Sequence, residues 1–342
     1  MSRRTRLNLT LSLTALALLA CGETTTPTQP EVAGNPAPAA LSLAADPNSW
    51  TARAPTPYSD FIFGYDLGMA PNSAGQSIVY AFGGASGDDG STGMRVKAYN
   101  VATNTWTGKL AQVGVFNSNG VGKIGSRLYF SGGYGNAGNL PDATTALWAY
   151  DYSSDRMIRK ANLPIFSAEG VSGVINLKLY VLPGACDGNG YPNPGYCAVE
   201  ATRRFYRYDP ATNTWVARRA APHFHRHGAA AVLDGKLYVT GGFGASGEGI
   251  SALDVYDPAT NTWRTLAPVP AGGAATAGAA LQGKFFVVVG GSPNRAYAYN
   301  PVTNLWKAKA APQIFGSMTL VKLDGGPRLV TATGSHTLLY TP

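Results

Sequence analysis

The 342-residue chain carries 27 Lys and Arg against 19 Asp and Glu, a formal net charge of +8, with 42 Gly and only 13% charged side chains. Arg3, Arg4 and Arg6 account for part of that excess and no basic cluster tracks along the rest, which excludes a nucleic-acid partner. Sparse charge, abundant glycine and 45% hydrophobic content exclude a charge-rich helical or disordered protein and point to an all-β chain with many turns.

In chain order, the first predicted element is a secretory signal over residues 1–20: a basic start, then an apolar run from Leu7 to Ala20. That run is too short to span a bilayer comfortably. Leu18-Leu19-Ala20-Cys21 resembles a lipobox, which predicts cleavage before Cys21 and a lipid on its sulfur. Residues 21–45 are Thr, Pro, Ala, Glu and Gly with almost no large side chain, too little apolar surface to order themselves, and are read as a tether. The protein is therefore expected outside the cytoplasm, in the periplasm or at the cell surface, membrane-bound through its N-terminal lipid alone.

Residues 46–342 are repetitive. Tyr208-Asp209-Pro210-Ala211-Thr212-Asn213-Thr214-Trp215 recurs, with variations, before Trp106, Trp263 and Trp306, and in degenerate form from Tyr150 to Arg156. Each copy follows a short apolar run closed by glycines, as in Leu237-Tyr238-Val239-Thr240-Gly241-Gly242. The period of roughly fifty residues suits a unit of four short strands that cannot bury its apolar face alone. The run before the glycines predicts a strand buried on both faces, the glycines a close backbone approach, and Asp-Pro-Ala-Thr-Asn a tight turn.

A double glycine, then tyrosine, then tryptophan at restricted spacing resembles the kelch repeat family, in which each repeat is one four-stranded propeller blade. The resemblance covers nearly everything after the tether and implies a six-bladed kelch-type β-propeller. The chain ends at Tyr340-Thr341-Pro342 without a tryptophan strand, whereas Asn48-Ser49-Trp50 has the form of that missing strand. The last blade is therefore expected to be closed by the N-terminal strand.

In kelch propellers the loops joining second to third strands, and one blade to the next, emerge on a single face that usually binds. The first set runs long at residues 85–94, 134–146, 185–204 and 243–251 and short at 292–296, which predicts an asymmetric groove. Phe116, Phe166, Phe224 and Phe315 recur in the connections between blades and are expected to ring the channel mouth, offering flat faces to a sugar. Glu169, His225, Arg226, His227 and Arg295 are expected to supply polar contacts. His223, His225 and His227 alternate as if on one face of a strand, but same-face neighbours there lie about 6.5 to 7 Å apart, too far to share an ion, so no metal is expected. Cys186 and Cys197 bracket a turn-rich loop and predict a disulfide.

Two functions remain in view. The favoured one is a binding protein for a glycan or an envelope protein, without cofactor. The alternative is a cofactor-free sugar mutarotase or epimerase, since bacterial sialic acid mutarotases are also exported six-bladed kelch propellers and Glu169 with His225 or His227 could serve as acid and base. A galactose-oxidase type of copper chemistry would need a cysteine that the disulfide already uses.

Overall fold

The computed structural model describes residues 47–57, 63–85, 94–136, 141–185, 203–273, 276–314, 319–333 and 335–342. Among these there is no helix of membrane-spanning length, and nearly all regular structure is antiparallel sheet. Strand β1 (Ser49–Ala52) comes first, followed by blade one: β2 (Phe63–Pro71), β3 (Ser77–Ala85), β4 (Met94–Asn100) and β5 (Thr105–Val113). Then come β6 (Val115–Phe116), β7 (Val121–Ile124), β8 (Arg127–Ser131), the hairpin β9 (Tyr134–Asn136) and β10 (Pro141–Ala143), β11 (Leu147–Asp151) and β12 (Arg156–Arg159). Of these, β7, β8, β11 and β12 form blade two, while β6, β9 and β10 make a small satellite sheet. Blade three is β13 (Val171–Ile175), β14 (Lys178–Leu182), β15 (Phe205–Asp209) and β16 (Thr214–Arg218). Blade four is β17 (Ala229–Leu233), β18 (Lys236–Thr240), β19 (Leu253–Asp257) and β20 (Thr262–Leu266). Blade five is β21 (Thr276–Leu281), β22 (Lys284–Val289), β23 (Arg295–Asn300) and β24 (Leu305–Lys309). Blade six joins β25 (Thr319–Lys322), β26 (Leu329–Thr333) and β27 (His336–Thr341) to β1.

The first strands β2, β7, β13, β17, β21 and β25 each neighbour the next, and β25 returns to β2, so the six blades close a ring. Second strands are buried on both faces, as the apolar runs before the glycines predict, while fourth strands such as β16, β20 and β24 are mostly exposed and bury no residue fully. Six apolar clusters lie at the seams, each drawing on two adjacent blades; one combines Leu67, Val79 and Tyr99 of blade one with Val321, Val330 and Leu339 of blade six. The last blade is closed by the N-terminal strand: Trp50 pairs with Tyr340 and Ala52 with Leu338 in antiparallel register.

The recurring Asn-Thr-Trp phrase has a specific job at these seams. Asn104, Asn213, Asn261, Asn304 and Asn48 all adopt φ between 54° and 58°, a region asparagine tolerates better than most residues. Held there, each side-chain oxygen accepts a hydrogen bond from its blade's tyrosine hydroxyl at 2.7–2.9 Å (Tyr99, Tyr208, Tyr256, Tyr299 and Tyr340). The same oxygen accepts a backbone N–H from the neighbouring blade's exit at 2.8–3.1 Å. The tryptophan that follows donates its indole N–H to a carbonyl on that same exit, as from Trp215 to Ala161 at 2.9 Å and Trp306 to Ala267 at 2.8 Å. Blade two keeps the first half of the device: Asp155 replaces asparagine, with Tyr150 at 2.8 Å and the Leu110 N–H at 2.7 Å, but half-buried Met157, paired with Tyr150 in the ladder, and not Arg156, stands where the tryptophan would be.

The glycines confirm the need for close approach. Gly242 has φ of 81°, and a methyl group there would collide with the Arg226 carbonyl oxygen. The Cys186 and Cys197 pair and most of the loop bearing it lie outside the described residues.

Candidate functional site

The six innermost strands surround a channel of ≈ 380 Å³. Its walls are small or aliphatic, including Gly68, Val121, Ala230, Gly278 and Leu320, and its two ends differ. The end at the turns joining first and second strands bears Lys123, Lys322 and Asp324. The opposite, loop-face end gathers Asp66, Asn117, Ser118, Glu169 and His227.

Three residues at that end share one conformation. Asn117, Glu169 and His227 lie just ahead of the first strands of blades two, three and four, with φ of 49°, 58° and 53°. For glutamate and histidine this backbone region is sparsely populated, at a cost of order 1–3 kcal/mol each, and such residues persist where surrounding structure fixes them. What fixes them here is a chain of backbone bonds across the blades: the Glu169 N–H donates to the Asn117 carbonyl, and the His227 N–H to the Glu169 carbonyl, both at 2.8 Å. The left-handed turn in each connection brings these residues to the channel end.

Glu169 is the hub. Its Oε1 lies 3.0 Å from His227 Nε2, and its Oε2 accepts from Arg226 Nη1 at 3.3 Å. Asn117 Nδ2 makes a long 3.5 Å contact with Oε1. The Arg226 guanidinium is itself held 5.0 Å above the Phe243 ring. Burial alone raises the Glu169 carboxyl, but the hydrogen bond and charge of His227, the Arg226 charge and the Tyr134 hydroxyl outweigh it and leave it below the ordinary value. Asp66 is pushed the other way. Burial raises its carboxyl, despite bonds from the Ser118 N–H at 2.8 Å and the Ser118 hydroxyl at 2.6 Å. One end of the channel thus holds two carboxyl groups displaced in opposite directions.

The sequence-based candidates separate into two groups. Glu169, Arg226 and His227 come together at the channel end. The expected ring of phenylalanines does not form among the described residues. Phe116 packs 5.6 Å from Tyr134 in the satellite cluster, Phe224 is buried, and Phe166 is 59% exposed but absent from the channel lining. The reason is register: each precedes the residues that turn toward the channel, and β6 pairs sideways with β9, which aims Phe116 at the satellite core. Phe315 lies outside the described residues, and Arg295 is exposed at the start of β23, away from the channel. The three histidines do not share a strand face either. Residues 223–227 are not a strand, and the left-handed turn at His227 sends it to Glu169 while His223 and His225 turn to Asp254 in blade four. Asp66 and Ser118 carried no repeat signal. Asn117 was visible only as the neighbour of Phe116, although its tolerance of positive φ was a usable clue.

Residues 226–270, which contain the whole of blade four, match the kelch motif family. The chain is a kelch-type β-propeller. Among solved structures, the one titled "Structure of YjhT" is similar over 83% of this chain and 99% of its own, with a TM-score of 0.62 and 16% identity. At that identity the likeness is one of fold. No curated protein matches the chain. The kelch phrase therefore accounts for the seams of the propeller, and the channel-end residues fall largely outside it.

Proposed function

We propose that this kelch propeller is an extracytoplasmic binding protein, anchored through a lipid on Cys21, that holds a glycan at the loop-face end of its central channel. The observation that carries the reading is the convergence of Asp66, Asn117, Glu169 and His227 on one end of a ≈ 380 Å³ cavity. That volume sits near the lower end of small-molecule sites, about 300–1,000 Å³, and suits one sugar residue better than a protein surface. Carboxylate, amide, imidazole and hydroxyl groups in fixed positions match the alternating donors and acceptors of a sugar's hydroxyls.

The test is binding of the full chain to an array of sialylated and cell-wall glycans. A hit that Glu169→Gln weakens at least tenfold is the expected result. A blank array with folded protein would overturn the glycan reading and turn the search to an envelope protein. The anchor has its own test: an alkynyl palmitate fed to cells should label the wild type and not Cys21→Ser, and equal labelling of both would remove it.

A second reading has one observation in its favour, the opposite displacement of Asp66 and Glu169. Groups so separated suit acid and base roles on a single substrate. In a sugar mutarotase, Glu169 would take the proton of the anomeric hydroxyl as a protonated Asp66 gives one to the ring oxygen. The bond from the anomeric carbon to the ring oxygen breaks, a carbonyl forms, and reclosure yields either anomer. Anomer exchange followed by NMR separates the two readings: acceleration abolished by Asp66→Asn marks the enzyme, whereas an unchanged exchange rate leaves binding alone.

A further inference from the structure

Blade four contains a second cluster, outside the channel lining and independent of the glycan reading. Asp254, at the start of β19, is fully buried, and two imidazoles face its Oδ2: His223 Nδ1 at 2.9 Å and His225 Nε2 at 3.2 Å. The Thr265 hydroxyl donates to the other oxygen, Oδ1, at 2.7 Å and fixes the plane of the carboxylate.

The tautomer of His225 follows from its other nitrogen. Nδ1 lies 2.9 Å from the Gly241 carbonyl oxygen, which can only accept, so Nδ1 carries the hydrogen. In the neutral ring Nε2 is then a bare lone pair, and it points at a carboxylate oxygen that also has only lone pairs to offer. Both side chains are wholly buried, so no solvent softens the opposition. A shared cation resolves it, either a second ring proton, which makes an imidazolium paired with the carboxylate, or a metal ion, toward which His223 Nδ1 converges as a third donor.

The geometry points to a binding site for a divalent transition-metal ion, with His223 Nδ1, His225 Nε2 and an Asp254 carboxylate oxygen as ligands. The three donor atoms all lie within 4.8 Å of one another. Bonds of about 2.0–2.1 Å in a tetrahedron separate ligand atoms by about 3.3 Å, close to both distances to Oδ2. An Nδ1–H donated to a backbone carbonyl is the usual way a protein orients a histidine ligand, and Thr265 does the same for the carboxylate. Two imidazoles and one carboxylate favour zinc, copper or nickel over magnesium or calcium. His223, with 42% of its side chain exposed, marks the side from which the ion arrives and on which a fourth coordination position stays open. Three histidines on one strand face would lie too far apart to share an ion; here an irregular segment draws two of them together and β19 adds an aspartate.

The experiment uses the full chain without a polyhistidine tag, titrated with cobalt and followed by visible absorption, with zinc content measured after dialysis. One equivalent of metal is expected, with affinity reduced at least tenfold in His223→Ala, a half-exposed position that leaves the blade's core intact, and unchanged in His336→Ala. Absence of bound zinc and cobalt overturns the assignment, as does equal binding by His223→Ala. A thiolate charge-transfer band would place the ion on cysteine and overturn it too. So would nitrogen NMR showing both His225 ring nitrogens protonated in the presence of excess zinc.

Discussion

Glu169→Ala is expected to destabilise the propeller by about 3–5 kcal/mol, the range for removing one partner of a buried ion pair. The effect comes from what is left behind. Arg226, with its side chain 11% exposed, would lose the carboxylate 3.3 Å from it, and the side-chain link to His227 would go while the backbone bond between residues 227 and 169 stays. The pH dependence has a definite sign. The Glu169 carboxyl sits below its ordinary value in the folded protein, so its contribution is fully present above the unfolded value, roughly 4.3, and is lost as pH falls through the lower folded one. Denaturant midpoints of wild type and variant should therefore stand apart at neutral pH and converge in acid. Arg226→Met placed on top of Glu169→Ala should recover part of the loss, because it removes a buried charge together with the carboxylate that faced it. A single-variant effect under 1 kcal/mol at neutral pH would mean that the hub is a solvated pair with no structural weight.

The contrast between Glu169 and the phenylalanines shows how far the sequence could be read. The blades were legible because their signals are local and repeated: a glycine that must meet a neighbouring carbonyl, an asparagine that must enter the left-handed region, a tryptophan two residues further on. Trp50 could be joined to Tyr340 across the whole chain because both belong to the same repeated phrase, cut at a different point. The channel end follows another logic. Asp66 lies in β2 and accepts from Ser118 in the next blade, a partnership with no fixed spacing. Phe116, Phe166 and Phe224 do recur, but recurrence on a propeller marks equivalent positions and not the direction a side chain takes. A single left-handed residue in each connection, at Asn117, Glu169 and His227, decides which neighbour reaches the channel. The same turn divides the histidine run between two clusters. Asp254 was hidden for a further reason: it precedes Val255-Tyr256-Asp257 inside a repeat strand, where the pattern draws the eye to the tyrosine.

The second large effect is expected at the seam where the ring closes. Trp50→Ala should cost about 3–5 kcal/mol, as for other large-to-small changes at packed aromatic residues. The ring of Trp50 lies 5.0 Å from Tyr340 and 6.4 Å from Phe286, and its indole N–H donates to the Ala310 carbonyl at 2.9 Å. Trp306 makes the equivalent bond to Ala267 and packs 5.1 Å from Tyr299, so Trp306→Ala should lose a similar amount at equilibrium. The two differ in connection. A short covalent turn ties β24 to β23, while no turn joins β1 to β27: the contacts are its ladder, the Trp50 ring, the Arg53 N–H bond to the Thr337 carbonyl, and Asn48, which accepts from Tyr340 and, at the exit of blade five, from the Ala310 N–H. Loss of Trp50 should therefore let β1 leave locally, baring the edge of β27 while the other blades stay paired, in the manner of a low-energy sub-global opening. Hydrogen exchange should show protection falling first in β1 and β27 for Trp50→Ala, with no such focus on β23 and β24 for Trp306→Ala. Uniform loss of protection in both variants would mean that the ring opens as one cooperative unit, with the terminal strand as firmly committed to it as any strand inside the chain.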